Sequence, residues 1–235
     1  MTAPTTGGAA PAAARLDWQD WTRTNIRRVG YGAAAVVIVA GAVLAYIASE
    51  RNKEQFAAQA LSQAWSTVEA GNMALAANDL SRLVDRYGGT AAADEALILL
   101  SEIRLLTGET DAAVRGLQQF VAKGHKKYYV ASGYALLGGG LENQAKYKDA
   151  AAAYRHAAES ADLGFLKAQY LIDAGRAFVL AGDTASAKSA LGEVLFKFND
   201  LSQAAEARVR MGELGGTVPP EPEPKRGDAE GAQAG

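Results

Sequence analysis

Residues 165–198 read FLKAQYLIDAGRAFVLAGDTASAKSALGEVLFKF, and this stretch decides the fold. Leu171, Ala174, Gly175 and Phe178 recur at helical spacing before Gly182, and Ala187, Leu191 and Leu195 do so after it. Steps of three and four residues put each set on one helix face, while a glycine between them suits the left-handed residue that ends a helix. The stretch therefore reads as two helices packed across a short turn. Sliding the sequence in steps of thirty-seven residues repeats the pattern. Gly71, Gly108, Ala145 and Gly182 align, followed by Ala76, Ala113, Ala150 and Ala187. The next columns are Leu80, Leu117, Tyr154 and Leu191, then Val84, Val121, Ala158 and Leu195, with Leu61, Ile98, Ala135 and Ile172 upstream. A helix pair of this size cannot bury its apolar face alone, so four in series predict a stacked all-α solenoid.

Working outward, the pairs are expected at Ala57–Ala70 with Met73–Arg86, Ala92–Leu106 with Thr110–Ala122, Tyr129–Asn143 with Lys148–Ser160, and Phe165–Leu180 with Thr184–Phe198. Asp111 and Thr184 are placed to cap second helices. Where Ala145 replaces the turn glycine, the turn is expected to rely on Asn143 or on a longer helix. Ser202 to Leu214 reads as a capping helix, with Val209 and Gly212 in the columns of Ile172 and Gly175 and with Glu206, Arg208, Arg210 and Glu213 exposed. From Gly215 onward the chain is rich in proline and glycine and has few apolar groups, which predicts a disordered tail over 215–235.

Toward the N-terminus, Tyr31 to Ala48 reads YGAAAVVIVAGAVLAYIA, eighteen residues without a charge. Extended to 29–49, the run covers a hydrocarbon core of ~30 Å at ~1.5 Å per residue. A cleaved signal peptide would have a shorter apolar core nearer the start, and a buried helix of a soluble protein is the other competitor. The favoured expectation is a single transmembrane helix. Arg15, Arg23, Arg27 and Arg28 precede it, against Arg51 and Lys53 after it, which keeps residues 1–28 in the cytoplasm and exports the repeats at 50–214. Residues 1–14 are low-complexity and read as disordered, and Trp18 and Trp21 on 16–28 suit either an interfacial helix or a frayed helix entrance with two membrane-seeking tryptophans. No glycine or proline occurs from Ala42 to Ala70, so one unbroken helix is expected to run from the span into the first repeat.

Composition excludes several classes. With 24 basic and 26 acidic residues the charge balance carries no nucleic-acid footprint. The absence of cysteine excludes disulfides, thiolate metal sites and cysteine nucleophiles. His125 and His156 fall in different elements, and neither is read as having a partner at metal-ligand spacing. Gly138-Gly139-Gly140 follows no strand and precedes no Gly-Lys-Ser/Thr, so it is not a phosphate loop. Close helix approach or a local bend is the better reading of it. Lys123, Lys126 and Lys127 with Tyr128 and Tyr129 form a local basic-aromatic patch, read first as a solvated loop whose tyrosines enter the third unit. No catalytic constellation, metal site or cofactor is expected.

In frame, unit four reads Leu171, Ala174, Gly175, Phe178, Gly182, Ala187, Leu191, and unit three Tyr134, Leu137, Gly138, Leu141, Ala145, Ala150, Tyr154. This resembles the tetratricopeptide pattern, with a period slightly longer than the commonest ~34 residues. Ser101 and Ala64 stand at the first-helix glycine of units two and one. A cytoplasmic tail, one span and a repeat domain directly after it further resemble the YfgM-type family of tetratricopeptide-like inner-membrane proteins. That resemblance implies a non-enzymatic accessory of the SecYEG translocon that works with a periplasmic chaperone on exported client proteins. A structural or assembly subunit of another bacterial envelope complex is the alternative. If the repeats coil as tetratricopeptides do, first helices line the concave face. Trp65, Glu102, Glu142, Asn143, Gln169, Asp173 and Arg176 are then free of packing duties and become candidate peptide-binding residues.

Overall fold

The computed structural model describes residues 26–123 and 127–220. The expectations for 1–25, for His125 and Lys126 and for 221–235 lie outside the described residues. Among the described residues the chain is all-α, with nine helices: α1 Ile26–Glu69, α2 Met73–Tyr87, α3 Ala91–Leu106, α4 Thr110–Val121, α5 Lys127–Asn143, α6 Tyr147–Ser160, α7 Gly164–Leu180, α8 Thr184–Lys197 and α9 Gln203–Glu213. From α2 onward each helix packs against the next, and the first helices of adjacent units also meet, α3 with α5 and α7 with α9.

Two units are distinguished, 1–52 and 53–235. In the first, α1 carries the apolar run and is long and apolar enough to cross a membrane, and no residue of its most apolar eighteen-residue stretch is buried. Tyr31, Val36, Val37, Ile38 and Leu44 are all exposed on it. The helix is a single element to Glu69, as the lack of breakers predicts.

The second unit is the repeat stack, and its core is a row of clusters. Ala57, Leu61 and Ala64 of α1 pack with Leu80 and Leu83 of α2 and with Ala96, Leu100 and Ile103 of α3. Leu117, Leu137, Leu141 and Tyr154 join α4 to α6, and Ile172, Leu191, Val194 and Met211 join α7 to α9. The alanine column read from the sequence is part of the core itself: Ala76, Ala113, Ala150 and Ala187 are all fully buried. Burying a leucine such as Leu80 or Leu117 contributes ~1.5–3 kcal/mol. The alanine column lets backbones approach closely enough to make that burial complete.

Small residues at Ala64, Ser101, Gly138 and Gly175 serve the same purpose on first helices, and all four are buried. A Cβ on Gly138 would lie 2.7 Å from Tyr154 Cε1, and one on Gly140 2.7 Å from Val114 Cγ2. The triple glycine is thus the seat of one large ring and one neighbouring helix, and its cost in helix stability of ~1 kcal/mol per glycine is offset by that packing. Ser101 keeps its hydroxyl satisfied by donating to the Leu97 carbonyl at 2.8 Å.

Turns correct several expectations. Gly71, Gly108 and Gly182 take positive φ as anticipated, but Ala145 does so too, at φ 55, and α5 is not lengthened. The backbone route is the same in all four hairpins because Lys146 N–H reaches back to the Leu141 carbonyl, as Asp183 N–H does to that of Phe178. The conformation comes from the turn, whatever residue occupies it. The caps also lie elsewhere. Asp183, not Thr184, accepts from Ser186 N–H at 3.0 Å, and Asp111 is inside the first turn of α4, where it accepts from Gln144 Nε2 at 2.7 Å. The Asp183 carboxyl is held below the usual range by its hydrogen bonds from Ser186. Asn72 caps α2, and Thr90 caps α3. Glu54 of α1 adds a second cap to α3, accepting from Ala91 and Ala92 N–H at 3.0 Å each, so the first repeat clasps the free N–H groups that begin the second.

The closing helix deviates from the repeat frame. Val209 is exposed rather than buried like Ile172, and α9 buries Ala204, Ala207 and Met211 instead. Ile172 is covered by α8 and α9, whereas α9 has no following hairpin among the described residues to cover the equivalent face. Glu206 and Glu213 are exposed as expected, while Arg208 and Arg210 are half-buried.

Candidate peptide-binding face

First helices gather the candidate residues into two neighbourhoods. Trp65 of α1 and Glu102 of α3 line one pocket of about 250 Å³ together with Glu95, Ile98, Leu99, Tyr129 and Ser132. Every one of these residues belongs to a first helix, α1, α3 or α5. The floor is set by α3, where Glu95, Ile98 or Leu99, and Glu102 follow one another at three- and four-residue steps and so share a face. Trp65 is 40 % exposed, and Tyr129 Oη donates a long hydrogen bond of 3.5 Å to Glu95 Oε2. Among the described residues no lysine, arginine or histidine lines the pocket.

The second neighbourhood is built on α7. Arg176 Nη1 donates to Glu142 Oε2 of α5 at 2.7 Å, and its Nη2 to Asp173 Oδ1 at 3.3 Å. Gln169, one turn before Asp173, hydrogen-bonds the same carboxylate. The Arg176 guanidinium lies 6.0 Å from the Tyr154 ring centroid, at the outer edge of cation–π range. Burial pushes the Tyr154 phenol up to about 12, and the nearby charges of Glu142 and Asp173 push in the same direction. Burial also raises the Asp173 carboxyl, against the pull of Arg176. For Arg176, burial would favour the neutral form, but the hydrogen bond and charge of Glu142, then Asp173, win and hold its pKa above the ordinary value.

Of the seven residues expected from sequence, Trp65 and Glu102 thus come together, as do Glu142, Gln169, Asp173 and Arg176. Asn143, exposed as the last residue of α5, joins neither group. Sequence reasoning missed Glu95 and Tyr129 in the first neighbourhood and Tyr154 in the second. One signal could have found the first two. Contacts between adjacent units fall just under one period apart, at 34 residues for Tyr129 with Glu95 and 34 for Arg176 with Glu142. One correction concerns His156, which does have a carboxylate one turn on: Nδ1 lies 3.2 Å from Glu159 Oε2. Both side chains are more than half exposed, and among the described residues no group of three or more metal-ligating side chains converges.

The comparisons agree with this geometry at the level of fold. No family model matches the sequence, and no curated protein matches it. Among solved structures the chain is similar to the crystal structure of MamA protein, with a TM-score of 0.50 and 20 % identity over 70 % of this chain and 79 % of that one. At that identity the likeness carries the fold alone. The chain is an all-α, tetratricopeptide-like helical repeat protein with a long apolar N-terminal helix.

Proposed function

We propose that this protein is a membrane-anchored, non-enzymatic scaffold whose first-helix face docks other polypeptides. The single observation that carries the reading is a pocket containing an exposed tryptophan and lined only by first helices of three successive units. Large exposed aromatic surface with a polar rim marks an interaction site rather than a hydrated one. Glu142, Asn143, Gln169, Asp173 and Arg176 extend the proposed face toward the C-terminal repeats.

In this reading residues 29–49 span the bacterial inner membrane, 1–28 stay in the cytoplasm, and the repeat domain at 50–214 works in the periplasm ahead of a tail at 215–235. The exposed apolar surface of α1 supports an anchor over the buried helix of a soluble protein. The architecture also supports an accessory role at the SecYEG translocon, alongside a periplasmic chaperone and newly exported proteins. Affinity purification of the full chain from mildly solubilised membranes tests it. Recovery of translocon and chaperone subunits is expected. Recovery of a different envelope complex alone would replace the export role by a subunit role in that complex. Protease added to intact spheroplasts is expected to remove the repeats and spare the N-terminal tail; the reverse pattern would invert the topology.

A further inference from the structure

The two neighbourhoods of the first-helix face hold the same kinds of group in different states of completion. Around Arg176 the chain shows how this face accommodates a guanidinium, with carboxylates Glu142 and Asp173 bonded to it and the Tyr154 ring beside it. In the pocket toward the N-terminal repeats the carboxylates Glu95 and Glu102 and the rings of Trp65 and Tyr129 are again collected, over apolar walls of Ile98 and Leu99, and among the described residues no cation lines it. Glu95 is half-buried and Glu102 exposed. At about 250 Å³ the space is below the ~300–1,000 Å³ usual for small-molecule sites and fits one long side chain.

We propose that the Trp65–Glu95–Glu102–Tyr129 pocket receives a lysine or arginine side chain of a partner polypeptide. The aliphatic stem packs on Ile98 and Leu99, the charged head lies against the faces of the aromatic rings, and the carboxylates supply charge-assisted hydrogen bonds. The inference rests on the scaffold reading and adds to it the chemistry of the anchor. An acidic or purely apolar anchor is disfavoured, the first by repulsion from two carboxylates and the second by their desolvation.

The test is a selection of random dodecapeptides on the detergent-solubilised full chain, followed by titration of synthetic winners. With Trp18 and Trp21 replaced by phenylalanine, the remaining tryptophan emission reports Trp65. Enriched peptides are expected to carry a lysine or arginine whose replacement by norleucine weakens binding at least tenfold. Glu95→Gln and Glu102→Gln are each expected to weaken the basic peptide at least threefold and to leave the norleucine peptide unchanged. Winners that bind equally well with norleucine, or whose binding ignores both glutamine variants, overturn the basic anchor while the scaffold reading stands. Enrichment of no peptide above the bare support sinks both.

Discussion

The N-terminal and C-terminal halves of the repeat stack present the same face of the same motif, yet they treat charge in opposite ways. Around α7, Arg176 is drawn between Glu142 and Asp173, and the nearby ring of Tyr154 is only 6 % exposed. Around α3, no basic residue lines the pocket of Glu95 and Glu102 among the described residues, and the ring of Trp65 is 40 % exposed. The first arrangement stitches unit three to unit four. The second joins unit two to unit three through the long Tyr129–Glu95 hydrogen bond and leaves the Trp65 ring partly in solvent. A repeat scaffold can thus assign cohesion to one pair of units and recognition to another without changing its backbone plan.

The sharpest way to break the comparison is to remove each ring. Tyr154→Ala opens a void over Gly138 and is expected to cost ~3–5 kcal/mol in chemical denaturation, as for other large aromatic deletions. Trp65→Ala is expected to cost ~1 kcal/mol or less, because that ring is half in solvent. Equal losses would show that both rings are core. A smaller effect comes from the seat of the ring. Gly138→Ala gains helix propensity but drives a methyl into Tyr154, for a net loss of ~1–2 kcal/mol. Units one and two combine Ala64 with Leu80 and Ser101 with Leu117 in the same columns. Gly138→Ala is therefore expected to become neutral or favourable in a Tyr154→Leu background, and a double-mutant cycle with no coupling would refute the pairing.

The ion pairs come next. Arg176→Met leaves Glu142 and Asp173 partly buried with no counter-charge. Fully buried pairs lose ~3–5 kcal/mol when one partner goes, but Arg176 is 36 % exposed and solvent screens the remainder, so ~1–2 kcal/mol is expected. An unchanged denaturation midpoint would mean that the stitch contributes nothing. Alkaline titration probes the same neighbourhood without a mutation. The Tyr154 phenol ionises at about 12 when folded and near its ordinary 10 when unfolded, so the folded state holds the proton longer. Its contribution to stability is complete below pH 10 and is lost as pH rises toward 12. The phenolate absorbance that disappears in Tyr154→Phe is expected to have its midpoint near the upper value; a midpoint near 10 would mean that the ring is not buried.

How much of this was legible in the sequence follows a physical line. The columns at thirty-seven residues are set by burial, and burial is what a chain encodes most directly: the predicted helix ends agree with the observed ones to within two residues, because small and large apolar groups fall where turns and faces require them. Readings that depended on one local atom failed by a position. Asp183 caps where Thr184 was expected, since both residues are good caps and only backbone geometry separates them. Ala145 takes a left-handed turn that the sequence argues against, because the hairpin around it dictates the route. Val209 is exposed because the repeat frame assumes a following hairpin, and none follows α9 among the described residues. For the candidate face, the helix that carries each residue was readable, but the partner on the next helix was not. Glu95 with Tyr129 and Glu142 with Arg176 are contacts across units, and they require the offset between neighbouring helices to be known first.

The smallest expected effect separates the two halves most cleanly. Glu142→Gln removes half of the charge opposing Arg176 and is expected to be destabilising, whereas Glu102→Gln removes a charge that opposes no cation among the described residues of its pocket. Glu95 and Glu102 lie seven residues apart on α3, about two turns or ~10 Å, close to the screening length at ~0.1 M salt. Their mutual repulsion is therefore weak. Neutralising Glu102 is expected to shift stability by no more than ~0.5 kcal/mol, with any change in the stabilising direction and largest at low salt. A clear loss on Glu102→Gln, similar to that of Glu142→Gln, would mean that Glu102 already serves the fold. The pocket would then have no charge to spare for a partner, and the division between a cohesive half and a receptive half would collapse.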